Sequence, residues 1–292
     1  MLKAFLYSAT LFLSLSFPFV AVAQKLIPLP SVQPSWSKPY EPFRIAGNLY
    51  YVGTYDLACY LIVTPKGNIL INTGLAESVP MIRTSVEKLG FKFTDIKILL
   101  NTQAHYDHVA GMAEIKKLTG AKMMINENDA QVLEDGGNSD FIFGGKGSTF
   151  TPVKADRLLH DRDTVKLGDT KLVALNHPGH TKGSTSFLLN VKDEKRTWSV
   201  LIVNMPTILD DTKLLGMPSY PNVGKDYEYT LGAMKKIQFD LWVASHASQF
   251  SLHNKRKPGD GYHPEIFNDR TAYDTMVNDL EKEYLKRLKS EK

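Results

Sequence analysis

The sequence predicts an α/β fold, and two observations support this class. Short apolar runs typical of buried strands alternate with segments of helical spacing, and the alternation occurs in both halves of the chain. In the first half, the strand Ile96–Leu100 is followed by a polar segment, the helix Gly111–Leu118 and the strand Lys122–Ile125. In the second half, the helix Tyr227–Ile237 precedes the strand Leu241–Ala244. The alternation by itself predicts no fold narrower than α/β.

The remaining elements follow from the spacing of the apolar residues. In Ser78–Leu89 these residues lie three and four positions apart, which is typical of an amphipathic helix, and Gly90 ends it. Asn268–Lys289 has the same spacing and predicts a long helix that packs on the core. Short apolar runs bounded by turn residues predict further strands at Asn48–Val52, Cys59–Val63, Asn68–Ile71, Val173–Leu175, Phe187–Val191 and Ser199–Val203.

The first residues predict an exported protein. Lys3 precedes the apolar stretch Ala4–Val20, and the small residues Ala21-Val22-Ala23 form a cleavage site, so residues 1–23 have the pattern of a secretory signal peptide. A membrane anchor is the alternative, and Pro18 and the small residues argue against it. We expect a periplasmic protein with no membrane attachment after cleavage. Residues 24–292 then form one domain, which begins with a proline-rich arm over Gln24–Pro42 that we expect to be extended.

Charge and cysteine content narrow the class of partner and the redox chemistry. The formal net charge is +4, and removal of the leader takes away only Lys3 among the charged residues. No stripe of basic and aromatic residues is visible, so nucleic acid is not an expected partner. The single cysteine, Cys59, cannot form an internal disulfide, and its place in a predicted strand indicates a buried structural thiol.

The residues most able to carry chemistry lie in one short segment and two later loops. Imidazole and carboxylate groups are preferred zinc ligands, and side chains that follow strand ends can converge on one point. A lone histidine in a polar loop is more often a satisfied structural residue, but this many in such positions favours a metal site. The set consists of Gln103, His105, Asp107 and His108 after the strand Ile96–Leu100, His180 in the segment His177–Ser184, and His246 after the strand Leu241–Ala244.

This set resembles the signature of the metallo-β-lactamase superfamily, which is His-x-His-x-Asp-His, a downstream Gly-His and a late histidine at a strand end. Gln103 stands where the first histidine is expected, which resembles the glutamine-variant, GOB-type branch of subclass B3. The resemblance implies a four-layer αβ/βα sandwich. It extends over nearly the whole mature chain, through segments at Tyr50–Gly53, Tyr60–Gly67, Gly136–Phe141, Leu158–Asp161 and Gly216–Pro221.

The resemblance also implies a ligand set for one or two zinc ions. Each site keeps an open position, as catalytic zinc sites do, and Asp107 is expected to orient the attacking water and shuttle a proton. A carboxamide oxygen is a poorer zinc donor than imidazole, so the site that contains Gln103 should bind zinc more weakly and the other site should fill first. The alternative for Gln103 is that it only hydrogen-bonds nearby. The first site would use Gln103, His105 and His180, and the second Asp107, His108 and His246.

The function implied is zinc-dependent hydrolysis of penicillins, cephalosporins and carbapenems through a zinc-activated water, by a monomeric enzyme that confers antibiotic resistance. Another hydrolase of the fold, such as a lactonase or a glyoxalase II-like enzyme, is one alternative, and an inactive periplasmic zinc-binding protein is another. The hydrolases that bridge two zincs with an aspartate carry it after a strand, and here Ser199–Val203 runs into Asn204-Met205-Pro206. That departure favours the β-lactamase.

Overall fold

The structure is a computed structural model that describes residues 25–292. The predicted signal peptide over residues 1–23 lies outside the described residues. Within residues 25–292, no helix is both long enough and apolar enough to cross a membrane.

Two mixed sheets form the centre of the fold. The first sheet has seven strands in sequence order, antiparallel from β1 to β4 and parallel from β4 to β7. These strands are β1 (Phe43–Ala46), β2 (Leu49–Tyr51), β3 (Tyr60–Thr64), β4 (Gly67–Ile71), β5 (Ile96–Leu100), β6 (Lys122–Asn126) and β7 (Arg157–Leu159).

The second sheet has five strands in the order β12-β11-β10-β9-β8. Its first four strands in the chain pair antiparallel, and β12 joins β11 in parallel. The strands are β8 (Thr164–Leu167), β9 (Thr170–Asn176), β10 (Thr185–Lys192), β11 (Thr197–Val203) and β12 (Leu241–Ala244).

Helices connect these strands and flank the sheets. Five 3-10 turns occur in the described chain, at Ala76–Ser78, Phe93–Asp95, Glu127–Asp129, Ala247–Phe250 and Pro264–Phe267. The α-helices of the described chain are α1 (Pro34–Ser37), α2 (Val79–Lys88), α3 (Tyr106–Val109), α4 (Met112–Thr119), α5 (Ala130–Glu134), α6 (Val223–Met234), α7 (Leu252–Lys255) and α8 (Arg270–Ser290).

The alternation of side chains along the strands produces four layers. Successive residues of a strand point to opposite faces, so Ile69 and Ile71 of β4 pack in one buried cluster with Phe187 of β10. Leu70, between them, packs instead with Ile82 of α2. Helices also pack on the second sheet, because Tyr227 of α6 and Tyr273 of α8 lie in one buried cluster with Trp242 of β12. The predicted αβ/βα sandwich is therefore confirmed.

Several elements differ from the predictions, among them the unpredicted strands β1 and β8, and three show a local reason. The helix expected over Tyr227–Ile237 begins earlier, at Val223, and ends at Met234. Its first turn was missed because Val223 is followed by glycine. The strand β7 was missed because only Leu159 of its three residues is buried, so it has no apolar run. The arm predicted as extended contains the short helix α1.

The carboxylate of Asp193 joins the β10–β11 turn to the C-terminal part of the chain. Its Oδ1 accepts hydrogen bonds from the backbone N–H groups of Lys195 and Arg196, at 2.8 and 2.9 Å. Its Oδ2 accepts hydrogen bonds from Trp198 Nε1 at 2.7 Å and from the Tyr262 hydroxyl at 2.8 Å. These four hydrogen bonds, with the one from Arg196 the largest contributor, hold the pKa of Asp193 well below its usual range.

The stabilisation from Asp193 should therefore disappear in acid. A carboxyl group whose pKa is lowered by folding stabilises the folded state fully at pH values above its unfolded-state pKa of about 3.9. This stabilisation is lost as the pH falls below that value. We expect Asp193→Asn to lower the urea midpoint at pH 7 and the difference from the parent to shrink below pH 4. Asp169→Asn, at an exposed turn, is the control and should show neither effect. A difference that stays constant down to pH 2 would contradict this account.

Candidate metal centre

The loops at one end of the two sheets converge on a single cavity. Thr102 follows β5 by two residues, and its backbone N–H donates a hydrogen bond to Oδ1 of Asn72 at 2.9 Å. Asn72 has a φ of 62°, a left-handed conformation that asparagine tolerates better than most residues. From the second sheet, Thr185 N donates to Thr102 O at 2.8 Å, and Ala58 N donates to Ser245 O at 3.1 Å. These bonds hold the strand ends of both sheets together, directly beneath the predicted ligands.

Three of the predicted ligands form a tight cluster. The carboxylate Oδ2 of Asp107 lies 3.2 Å from His108 Nε2 and 3.4 Å from His246 Nε2. One possible ligand atom from each of these three residues lies within 4.8 Å of the others. Asp107 and His108 are buried, and His246 is half-buried. The structure thus brings together the predicted second set.

The other predicted ligands lie next to this cluster. The rings of His105 and His180 are 4.9 Å apart between centroids. Gln103 is buried and lines the same cavity as both histidines, together with Asp107 and His246. All six residues predicted from the sequence therefore lie at one site.

Unpaired buried atoms at this site fit a bound cation. Within residues 25–292, Nδ1 of His108 and Oε1 of Gln103 have no hydrogen-bond partner, and Nε2 of His108 makes no hydrogen bond although Asp107 Oδ2 lies 3.2 Å away. An unpaired buried polar atom costs about 1–3 kcal/mol, which a cation accepting its lone pair would offset. Nitrogen and oxygen donors of these types are those that zinc prefers, so the residues present fit zinc.

Three of the histidines are oriented by hydrogen bonds that they donate to neighbouring oxygens. A carboxylate or carbonyl oxygen can only accept, so the facing ring nitrogen must carry the proton. His246 Nδ1 donates to Asp56 Oδ2 at 3.1 Å, and His180 Nδ1 donates to a backbone carbonyl at 2.7 Å. His105 Nε2 donates to Asp140 Oδ2 at 3.2 Å. In each ring the other nitrogen is left to bind a metal, as in carboxylate–histidine–zinc arrangements.

Burial and neighbouring charges shift the pKa values at the site in opposite directions, with Asp107 and His180 lowered and His246 raised. Burial alone would raise the pKa of Asp107, but His108 and His246 outweigh it and hold the pKa well below its usual value. Burial lowers the pKa of His180 to about 3, and the nearby His105 adds to this. Burial opposes a positive charge on His246, yet Asp107 and Asp56 raise its pKa to about 9.

A small cavity of about 150 Å³ opens onto these ligands. Trp36 from the N-terminal arm, Phe143 and Leu209 form apolar walls of this cavity. A larger cavity of about 460 Å³ lies elsewhere, around Tyr55 and Arg256. Among the described residues, the group of side chains able to hold a metal lies at the smaller cavity, which is therefore the candidate site.

Sequence reasoning missed the carboxylates that support the ligands. Asp56 and Asp129 received no role, and Asp140 entered only as part of a resembling segment. The signal available was weak, because each lies far from its partner along the chain. His177 is buried, with Nδ1 2.7 Å from Ser186 Oγ, and it lines a different cavity from the candidate ligands. Cys59 is buried, as predicted, and burial raises the pKa of its thiol.

Curated relatives match only part of this chain and part of their own length. A probable metallo-hydrolase of Methanocaldococcus jannaschii is 29% identical over 136 residues, which cover 46% of this chain and 63% of the relative. A hydroxyacylglutathione hydrolase of Rhodopseudomonas palustris is 28% identical over 131 residues, which cover 45% and 42%. The chain spans about half the length of the curated relatives it matches.

Solved structures match over almost the whole described chain. The class B3 di-zinc metallo-β-lactamase LRA-12 from an Alaskan soil metagenome is 63% identical, with a TM-score of 0.88, and covers 90% of this chain and 100% of its own. A β-lactamase from Chitinophaga pinensis is 60% identical, with a TM-score of 0.89 and the same two coverages. GOB-18 from Elizabethkingia meningoseptica is 55% identical, with a TM-score of 0.91, and covers 92% and 100%.

A family model points the same way as these full-length matches. The model of the metallo-β-lactamase superfamily matches residues 54–193, which include every predicted ligand except His246. The matched structures of 55–63% identity extend the similarity through the remaining ligand, His246. This chain therefore belongs to the metallo-β-lactamases, in class B3.

Proposed function

We propose that this protein is a zinc-dependent β-lactamase that hydrolyses the lactam amide of penicillins, cephalosporins and carbapenems and so confers antibiotic resistance. The observation that carries the proposal is the buried cluster of Asp107, His108 and His246, with Nδ1 of His108 unpaired within the described chain. Full-length similarity to solved β-lactamases at 55–63% identity supports the substrate class. The breadth over three antibiotic classes is part of the proposal.

The six ligands would hold zinc in two unequal half-sites, which we call the first and second half-sites. Zinc bound there would lower the pKa of a water molecule toward about 7 and polarise a carbonyl group. The second half-site carries the only carboxylate of the ligand set, so we expect it to fill first. The first half-site consists of Gln103, His105 and His180, and the second of Asp107, His108 and His246.

The chain's own residues would hold the proton and the substrate in place. The carboxylate of Asp107 is anionic at neutral pH and can orient the attacking water and accept its proton. Asp56 accepts a hydrogen bond from Nδ1 of His246, and this bond directs Nε2 of the same ring toward the centre of the site. Trp36 and Phe143 offer apolar walls that exclude bulk water and contact the apolar part of a substrate.

Two specific features favour this function over a lactonase or a glyoxalase II-like hydrolase. Asn204 and Met205 follow β11 and line the cavity where those enzymes carry a bridging aspartate. The matched hydroxyacylglutathione hydrolases are 24–30% identical over 40–54% of this chain, far below the similarity to the β-lactamases. An inactive zinc-binding protein is distinguished only by assay.

Chelation tests the proposal directly. We expect dialysis against EDTA to abolish hydrolysis of nitrocefin and of a carbapenem, and zinc to restore both. The reason is that zinc held by the ligand cluster would activate the attacking water. Clavulanate should have little effect, because no Ser-x-x-Lys motif with its partner motifs is evident for an acyl-enzyme. A zinc-loaded protein that hydrolyses neither substrate would overturn the β-lactamase and leave the inactive binding protein.

We also propose that the protein is exported to the periplasm and acts there as a monomer. The pattern at Ala21-Val22-Ala23 supports cleavage before Gln24. N-terminal sequencing of the periplasmic fraction should therefore give a chain that begins at Gln24. A chain that retains Met1 would count against export.

A further inference from the structure

We propose that Asp129 is a positioning residue for the first half-site, because it fastens together the two loops that carry its ligands. One loop holds Gln103 and His105, and the other holds His180. Asp129 ends the 3-10 turn after β6 and is 1% exposed. The inference rests on the zinc site proposed above and deepens it.

Three hydrogen bonds join the Asp129 carboxylate to the two ligand loops. Its Oδ2 accepts the backbone N–H of Ala104 at 3.0 Å, and Ala104 lies between Gln103 and His105. The same oxygen accepts the hydroxyl of Thr181 at 2.7 Å, directly after His180. Its Oδ1 accepts the backbone N–H of Gly183 at 2.7 Å. One carboxylate therefore sets the distance between loops that lie about 75 residues apart in the chain.

The second loop lies so close to Asp129 that it has no room for a side chain at residue 183. A Cβ built on Gly183 would lie 2.6 Å from Asp129 N and 2.7 Å from both Cβ and Cγ of Asp129. Contacts this short do not occur in folded proteins, so glycine is required for the carboxylate to reach the loop. The close approach and the three hydrogen bonds are independent signs of one fixed arrangement.

A purely local role does not explain this geometry. Asp129 occupies the N-cap position of α5, where an aspartate commonly accepts a hydrogen bond from the first turn. Its side chain makes no such bond and points instead to the ligand loops. Burial of a carboxylate costs several kcal/mol unless its partners compensate, and its three hydrogen-bond partners all belong to the two ligand loops.

The consequence is specific to one half-site. Loss of the Asp129 contacts would release Ala104 and the segment Thr181–Gly183 from each other, so the ligands on either side would no longer be held at a fixed separation. Asp107, His108 and His246 have no contact with Asp129 among the described hydrogen bonds, so the second half-site should keep its ion. Replacing residues that orient metal ligands typically lowers metal affinity about 10–100-fold.

Zinc binding rather than hydrolysis tests this inference. Asp129→Asn keeps the shape of the side chain but turns an amide NH₂ toward one of the three donors. Competition with a chromophoric chelator would give the two zinc affinities of the metal-stripped protein. We expect affinity at the first half-site to fall about 10–100-fold and affinity at the second to remain unchanged. The measurement is repeated in a Gln103→His background, where stronger binding makes the first affinity readily measurable.

Two further variants separate positioning from stability. Asp193→Asn removes a carboxylate with four hydrogen bonds far from the site, and it should lower stability without changing either zinc affinity. Thr181→Val removes one of the three contacts of Asp129 and should produce a smaller loss at the first half-site, even if Asp129→Asn does not fold.

Unchanged first-site affinity in both Asp129→Asn and Thr181→Val, or an equal loss at both half-sites, would overturn the positioning role. A parent protein that binds no zinc would overturn the zinc proposal itself. A parent that binds zinc but opens no β-lactam would overturn only the proposed reaction.

Discussion

Replacement of Asp107 by alanine should lower carbapenem turnover about 10²–10⁴-fold, the range typical of a lost acid–base group, and should also remove zinc from the second half-site. Asp107 contacts His108 and His246 through one oxygen, and it is the only anionic ligand of the proposed set. Its removal therefore takes away both the charge that holds the ion and the acceptor for the water proton. His246→Ala should lose the same ion, because it removes one of two imidazoles.

Gln103→Ala should have a much smaller effect. It leaves turnover within about tenfold of the parent, because a carboxamide oxygen is a weaker zinc donor than the imidazole normally found in such sites. Gln103→His should raise the affinity for a second zinc for the same reason. Gln131→Ala is the control, since Gln131 is an exposed amide on α5 outside the site.

Metal content after dialysis and carbapenem turnover should be measured on the same preparations. Asp163→Ala, a carboxylate outside the site, controls for general effects of losing an acidic residue. The assignment of the dominant half-site is wrong if Gln103→Ala loses all zinc while Asp107→Ala retains zinc and activity.

The place of the candidate site was predictable because its signal is local. His105, Asp107 and His108 occur within four residues directly after an apolar strand, and such a segment places its side chains at a sheet edge whatever the rest of the chain does. The strand itself, Ile96–Leu100, has the same bounds in the structure as in the prediction, because a short, continuously apolar run has few alternatives. The pattern thus located the site before any contact was known.

The supporting residues were not predictable, because their signal exists only in three dimensions. Asp56 lies 190 positions from His246, and Asp140 lies 35 positions from the histidine it orients. An isolated aspartate in a loop is usually solvated, and nothing in the local sequence separates these aspartates from exposed ones. Trp36 was likewise indistinguishable from any apolar residue in a proline-rich arm. Its position over the site comes with contacts to residues distant in the chain, Asp56, Tyr106 and His246.

The contact between Trp36 and Asp56 leads to a prediction about the N-terminal arm. Asp56 Oδ2 accepts from Trp36 Nε1 at 3.2 Å and from His246 Nδ1 at 3.1 Å, while Oδ1 accepts the backbone N–H of Ser248 at 2.9 Å. Asp56→Asn turns an NH₂ group toward at least one of these donors. We expect it to lower zinc affinity at the second half-site about 10–100-fold, because the imidazole of His246 loses its fixed orientation.

Trp36→Phe provides the graded comparison, since it keeps an aromatic wall and removes only the indole N–H. The ring centroid of Trp36 lies 5.8 Å from that of His246, so an aromatic ring kept at this position should still contact His246. Zinc affinity should therefore fall less than in Asp56→Asn, and the double variant should be no weaker than Asp56→Asn alone, because Trp36 Nε1 acts on His246 through the shared carboxylate. Chelator competition on the four proteins measures this coupling. Fully additive losses would show that the arm and Asp56 act on the metal site independently.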